Sequence, residues 1–136
     1  MTSRRFSDVE FGEDLPPLTP DTSIPNVTTF VKAAGMLNER FTDHEAARKQ
    51  GLPGAIVPGI MSQAVMASMI HHWAPEAQVE KIDTVFRAPV LVGHPHTVTG
   101  VVTDMDDDAH TVEIDLTLEN EAGETRVLGT ATVRLP

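Results

Sequence analysis

The chain has 136 residues, and its 20 Asp and Glu against 10 Lys and Arg give a formal net charge of −10. So acidic a chain argues against nucleic acid or an anionic membrane as its main partner. The absence of cysteine excludes thiol catalysis, disulfides and cysteine–zinc sites, and it is compatible with a reducing cytoplasm. The length predicts one domain over 1–136, and the most apolar stretch, 54–70, is too short and too interrupted to span a membrane.

The first part of the chain predicts only short elements. A stretch rich in proline and acidic residues runs to Pro25, with one short strand expected over 6–11. A short helix is predicted over 28–34, closed by Gly35. Asp43 is predicted to cap a second short helix that Gly51 terminates.

The middle of the chain predicts one long helix that opens at Pro58, a favourable residue in a first helical turn. Apolar residues lie on nearly all of its sides from Ile60 to Ile70, which is typical of a buried helix. The second half then alternates with the period of strands in "EKIDTVFRAPV", "HTVTGVVTD", "TVEIDLTL" and "RVLGTATVRL". A sheet curled around one helix is an α+β fold, and because such a sheet keeps open edges, we expect dimerisation.

Four segments carry a resemblance that covers nearly the whole chain. They are "FSDVEFGEDLPPL", "AAGMLNERFTDHEAARKQGLPGAIVPGIM", "VFRAPVLVGHPHTVTGVV" and "ENEAGETRVLGTATVRL". In their order and spacing they resemble the MaoC-like hydratase/dehydratase family, whose members have the hotdog fold. The resemblance implies an acyl or enoyl thioester of coenzyme A or acyl carrier protein as ligand. It also implies addition or removal of water across a carbon–carbon double bond, with no cofactor.

The family's catalytic pair, an Asp followed five residues later by a His, is replaced in this sequence. Asn38, Asp43 and Ala47 match the loop pattern of the family, but Met36 stands at the Asp position and Phe41 at the His position. The family's Ala-His-Gly at the start of the central helix reads Val-Pro-Gly over 57–59, so only its glycine is retained.

Hydration of an enoyl thioester needs a base, an acid and a group that stabilises the developing charge on oxygen. The backbone N–H of Gly59, at a helix N-terminus, can provide the last of these, although this glycine also suits close packing. Glu39 and His44 repeat the five-residue spacing, either as a relocated pair or as ordinary solvated residues near a helix start. The catalytic candidates are therefore Asn38, Glu39, His44 and Gly59.

The substrate-binding candidates are the residues expected to line an acyl pocket and the cation best placed for the phosphates of coenzyme A. They are Met36, Phe41, Pro58, Met61 and Arg87. We predict no metal, because His94 and His96 share a face of a predicted strand without a third ligand nearby.

Three functions are compatible with these residues. The first is a dyad-lacking subunit that pairs with a catalytic hotdog chain, as in the heteromeric arrangements that the resemblance implies. The second is a self-sufficient hydratase/dehydratase or thioesterase, homodimeric, that uses Glu39 and His44. The third is a non-enzymatic hotdog protein that binds an acyl ligand. The loss of both members of the usual pair favours the first.

Overall fold

The computed structural model describes residues 4–136. Within them a 3₁₀ turn (Phe6–Asp8) precedes four helices and five strands. The helices are α1 (Ile24–Ala33), α2 (Glu39–Thr42), α3 (His44–Lys49) and α4 (Gly59–Trp73). The strands are β1 (Asp14–Leu18), β2 (Gln78–Phe86), β3 (His96–Asp106), β4 (Thr111–Asn120) and β5 (Thr125–Arg134).

The five strands form one antiparallel sheet in the order β1-β3-β4-β5-β2, with α4 packed on one face. This confirms the predicted α+β fold. The alternation read in β4 is also confirmed, since its apolar side chains point to the helix and Asp115 points to solvent. The two edges of the sheet are β1 and β2, and β2 follows directly from the end of α4.

The core lies between α4 and the sheet. Met66, Met69 and Ile70 of α4 are at most 1% exposed. A Cβ on Gly129 of β5 would lie 2.8 Å from the sulfur of Met66, so this glycine lets helix and sheet approach closely. The prediction that α4 is covered on nearly all sides is wrong along one side, where Ile60 is 51% exposed and Ala64, four residues later, is exposed as well. None of the helices in residues 4–136 has the length and apolar character needed to cross a membrane.

The strand predicted over 6–11 is wrong. That stretch forms the 3₁₀ turn, with Phe6 and Val9 buried and Phe11 in solvent. The first strand comes later, at Asp14–Leu18, and includes two successive prolines. Prolines are tolerated there because β1 is an edge strand, which leaves part of its backbone unpaired.

The short helices differ from prediction mainly in their starts. Helix α1 begins four residues before the predicted 28–34, because the Ser23 hydroxyl accepts the Asn26 N–H and Pro25 sits in the first turn. Gly35 closes α1 with φ +68°, as predicted. Asp43 caps α3 by accepting the Ala46 N–H at 3.1 Å, which confirms that prediction. The one-turn helix α2, just before it, was not predicted.

Candidate functional site

A cavity of about 380 Å³ opens at the N-terminus of α4. Its walls come from the segment before α4, the first turn of α4 and the segment that follows β2. Val57, Gly59, Ser62, Phe86 and Arg87 are among its lining residues. The cavity is therefore a pocket at the positive end of the longest helix.

Backbone hydrogen bonds fix the geometry of this helix start. The Val57 N–H donates to the Val90 carbonyl at 2.7 Å, which holds the segment before α4 against the segment after β2. Pro58, the N-cap residue, turns the chain into the helix, and its carbonyl accepts the N–H groups of Met61 and Ser62 at 3.0 and 3.2 Å. Within residues 4–136 the N–H groups of Gly59 and Ile60 have no acceptor.

Gly59 combines this free amide with a close packing contact. A Cβ at this position would lie 3.0 Å from Cζ of Phe86 and 3.2 Å from its Cε1. The absence of a side chain therefore lets the Phe86 ring lie against the helix start, where Gly59 lines the cavity. Both sequence-based interpretations of Gly59, as a donor and as a packing residue, are compatible with this geometry.

Ser62 is a site residue that sequence reasoning missed. It is 1% exposed, and among the described residues its Oγ is the one buried side-chain N or O atom without a hydrogen-bond partner. An unpaired buried hydroxyl costs about 1–3 kcal/mol of stability. The available signal was its spacing of three residues from Gly59, which places both on one helix face.

Arg87 lies beside the cavity, as its predicted role requires. Its side chain is exposed, and its backbone N–H donates to the Arg126 carbonyl at 2.8 Å. In the part of the chain that the structure describes, the guanidinium forms no ion pair with a carboxylate. It is therefore available to an anionic group of a ligand at the cavity mouth.

Phe41, at one replaced position, belongs to the core, and Met36, at the other, is half-buried against it. Phe41 is 7% exposed, and Met36 packs against the same buried cluster. The Met36 N–H donates to the Val31 carbonyl at 2.8 Å, which completes the C-terminal cap of α1 with Gly35. Neither side chain lines the cavity at α4, and neither can transfer a proton.

The other loop candidates, Asn38, Glu39 and His44, do not form one hydrogen-bonded group. Asn38 caps α2, with its Oδ1 accepting the Arg40 N–H at 3.0 Å, and Glu39 is exposed in the first turn of that helix. His44 accepts the Ala55 N–H on Nδ1 at 3.0 Å, so the neutral ring carries its proton on Nε2. No hydrogen bond or ion pair between Glu39 and His44 is present in residues 4–136.

The remaining candidates are buried next to the helix start. Pro58 is the buried N-cap residue of α4, and Met61, 6% exposed in the first turn, belongs to the core. They do not line the cavity, so the structure brings together Gly59 and Arg87 from the predicted set and leaves the rest outside it.

The two histidines near β3 are arranged differently from the prediction. His94 precedes the strand that His96 opens, so they do not share a strand face. The His96 Nδ1–H donates to the His94 carbonyl at 2.8 Å, and burial lowers the pKa of His96 below its ordinary value. Among residues 4–136, no group of three His, Asp or Glu side chains is placed to hold a metal ion.

Known structures share this fold at low sequence identity. An (R)-hydratase from A. caviae involved in PHA biosynthesis has a TM-score of 0.88 and 21% identity, over 94% of this chain and 98% of that one. R-hydratase PhaJ1 from Pseudomonas aeruginosa has a TM-score of 0.89 and 21% identity, over 97% and 85%. The ChsH1–ChsH2 complex from Mycobacterium tuberculosis contains a chain with a TM-score of 0.85 and 19% identity, over 93% and 98%.

These likenesses confirm the predicted hotdog fold. The sequence matches none of the curated proteins with which it was compared. The family model described as the MaoC-like domain matches residues 27–123, which is most of the chain and includes the loop, α4 and three strands. The chain therefore belongs to the MaoC-like hydratase/dehydratase family.

Proposed function

We propose that this chain is the dyad-lacking subunit of a hydratase/dehydratase assembly. It binds an acyl or enoyl thioester of coenzyme A or acyl carrier protein, and a second hotdog chain contributes the acid and the base. One contrast carries the proposal. Unpaired donors of Gly59 and Ser62 line the cavity at α4, whereas two apolar side chains, Met36 and Phe41, stand where the family has its proton-transfer pair.

The binding step rests on the first turn of α4. The free N–H groups of Gly59 and Ile60 lie at the positive end of a 15-residue helix. A thioester carbonyl oxygen that accepts them becomes more polarised, and charge that develops on it during water addition is stabilised. This contribution needs only backbone, so it survives the loss of the catalytic side chains.

The residues that line the cavity suit the acyl chain and the phosphates of such a ligand. Val57, Phe86 and Val90 give an apolar lining suited to the first carbons of an acyl chain. Arg87, exposed beside them, suits a phosphate of coenzyme A or of an acyl-carrier prosthetic arm. Met61, the third residue of α4, belongs to the core and does not line the cavity.

The case for a partner rests on the surface beside the cavity. Ile60 and Phe86 are 51% and 52% exposed, and Phe86 ends β2, the edge strand whose outer side is unpaired. A chain that covers this apolar surface also covers the cavity mouth, so binding of thioester and partner are coupled in space. The likeness to a chain of the ChsH1–ChsH2 complex supports such pairing.

The alternative of a self-sufficient enzyme requires Glu39 and His44 to act together. His44 is the weak member, because a base needs a free lone pair and its Nδ1 already accepts the Ala55 N–H. Glu39 is exposed on a different helix from His44. We therefore rank the dyad-lacking subunit first.

A hydration assay with a short enoyl-CoA tests the proposal. The pure chain should bind the thioester without turnover, and adding a hotdog partner that carries the Asp and His should restore hydration. If the pure chain hydrates the enoyl-CoA at an ordinary rate, and a Glu39→Gln, His44→Ala variant no longer does so, the chain is a self-sufficient enzyme that uses Glu39 and His44. Glu45→Gln, in the first turn of α3, is the matched control for Glu39→Gln. Tight thioester binding without a partner or turnover would instead support an acyl-binding protein.

A further inference from the structure

The hydroxyl of Ser62 is unexplained by the fold. It is buried, and no hydrogen bond in residues 4–136 uses it. A serine inside a helix ordinarily bonds to the carbonyl four residues earlier, which here belongs to Pro58. That carbonyl already accepts two backbone N–H groups, from Met61 and from Ser62 itself. The hydroxyl thus has no acceptor in its own helix, and buried polar groups of this kind need a reason.

The position of Ser62 points to a ligand. It lies three residues after Gly59 on the same helix face, and both residues line the cavity of about 380 Å³. The N–H groups of Gly59 and Ile60 are also without acceptors among the described residues. Two free amides and one unpaired hydroxyl therefore belong to a single helical turn, beside a space large enough for a ligand.

We propose that Ser62 donates its hydroxyl proton to the oxygen of a bound thioester carbonyl, as a third donor beside Gly59 and Ile60. The inference rests on the proposed function and adds a side chain to it. A carbonyl oxygen that gains negative charge accepts three donors more readily than a neutral one. Ser62 is then a thioester-binding residue, and the hydroxyl stays unpaired until a ligand arrives.

This assignment predicts opposite effects of one substitution on stability and on binding. Ser62→Ala removes an unpaired buried hydroxyl, so the melting temperature of the ligand-free protein should rise by about 3 °C or more. The same variant should bind an acyl-CoA thioester about tenfold more weakly. Ser68→Ala is the matched control on α4, because the Ser68 hydroxyl already has a partner in His72 at 3.4 Å.

Two ligands locate the effect at the carbonyl. Octanoyl-CoA and its octyl thioether differ by the carbonyl oxygen, so in calorimetric titrations of the pure chain Ser62→Ala should weaken binding of the thioester only. Equal thioester affinity in Ser62→Ala and the unaltered protein, or an equal loss for both ligands, overturns the role of Ser62 and leaves the proposed function standing. A fall in melting temperature makes Ser62 structural and also overturns it. If the unaltered protein binds neither ligand, the proposed function and this inference fail together.

Discussion

Replacing Ile60 with Asp tests whether the surface beside the cavity binds a second chain, because it should weaken association without destabilising the monomer. Ile60 is the second residue of α4 and is 51% exposed. Full burial of an isoleucine contributes about 1.5–3 kcal/mol, so covering the exposed half contributes roughly 0.8–1.5 kcal/mol in each copy. An acidic residue in the first turn of a helix is favourable by about 0.3–1 kcal/mol, which offsets its lower helix propensity in the isolated chain.

The expected result is weaker association without loss of monomer stability. One Ile60→Asp chain in a heterodimer should raise the dissociation constant about 4- to 12-fold. Two such chains in a symmetric homodimer should raise it about 15- to 150-fold, and burying the carboxylate adds to both figures. Sedimentation velocity over a dilution series measures the dissociation constant. Thermal melts at protein concentrations below that constant measure the melting temperature of the monomer.

Phe11→Asp is the control, because Phe11 is 72% exposed in the turn before β1, at the opposite edge of the sheet. Its dissociation constant should match that of the unaltered protein. The reasoning is refuted if Ile60→Asp associates as tightly as the unaltered chain, or if Phe11→Asp weakens association equally. A large drop in the melting temperature of the Ile60→Asp monomer would mean that the first turn of α4 belongs to the core.

Three further changes test the site and the core. Gly59→Ala forces the Phe86 ring, which lines the cavity, to move. Calorimetry should therefore show at least tenfold weaker thioester binding, while the free energy of unfolding changes by less than about 1 kcal/mol. Unchanged binding would contradict the assignment of the site. Phe41→Ala should cost about 3–5 kcal/mol in urea unfolding, and a cost below about 1 kcal/mol would place Phe41 outside the core. Burial lowers the pKa of His96 from 6.5 in the folded protein, so the unfolded chain takes up this proton first as the pH falls. The free energy of unfolding therefore decreases as the pH falls from about 6.5 towards the folded-state pKa of His96. Melts from pH 7.5 downwards (about one unit on either side of 6.5) should therefore decline less steeply for His96→Asn than for the exposed control His72→Asn, and equal slopes would contradict this.

Elements with a strong period could be predicted from the sequence, because alternation and burial have the same cause. Strand β4 is an example, since each apolar residue from Val112 to Leu118 faces α4. The helix caps at Asp43 and Gly35 could also be predicted, because each depends on the chemistry of one residue. Strand β1 was not, because Pro16 and Pro17 read as loop residues until the sheet provides an edge for them.

The site was predicted less well than the fold, for a physical reason. The sequence indicated that Met36 and Phe41 cannot transfer protons, but it could not show that Phe41 lies in the core with Met36 packed against it. It paired Glu39 with His44, whose Nδ1 is bonded to an amide eleven residues away in sequence. Ser62 escaped notice because a serine's importance here lies in a missing hydrogen bond, which only three-dimensional packing reveals.

The two prolines of β1 limit how far the sheet can grow. A strand can recruit a neighbour only through backbone N–H and C=O groups on its open side, and Pro16 and Pro17 contribute no N–H. The pairing of β1 with β3 also shifts register between Leu15 and Leu18, which breaks the regular edge. Two chains joined along β2 would carry β1 at both outer ends. Addition of further chains along the sheet would therefore stop at the dimer. The protein would not form fibres, although it exposes apolar side chains beside β2.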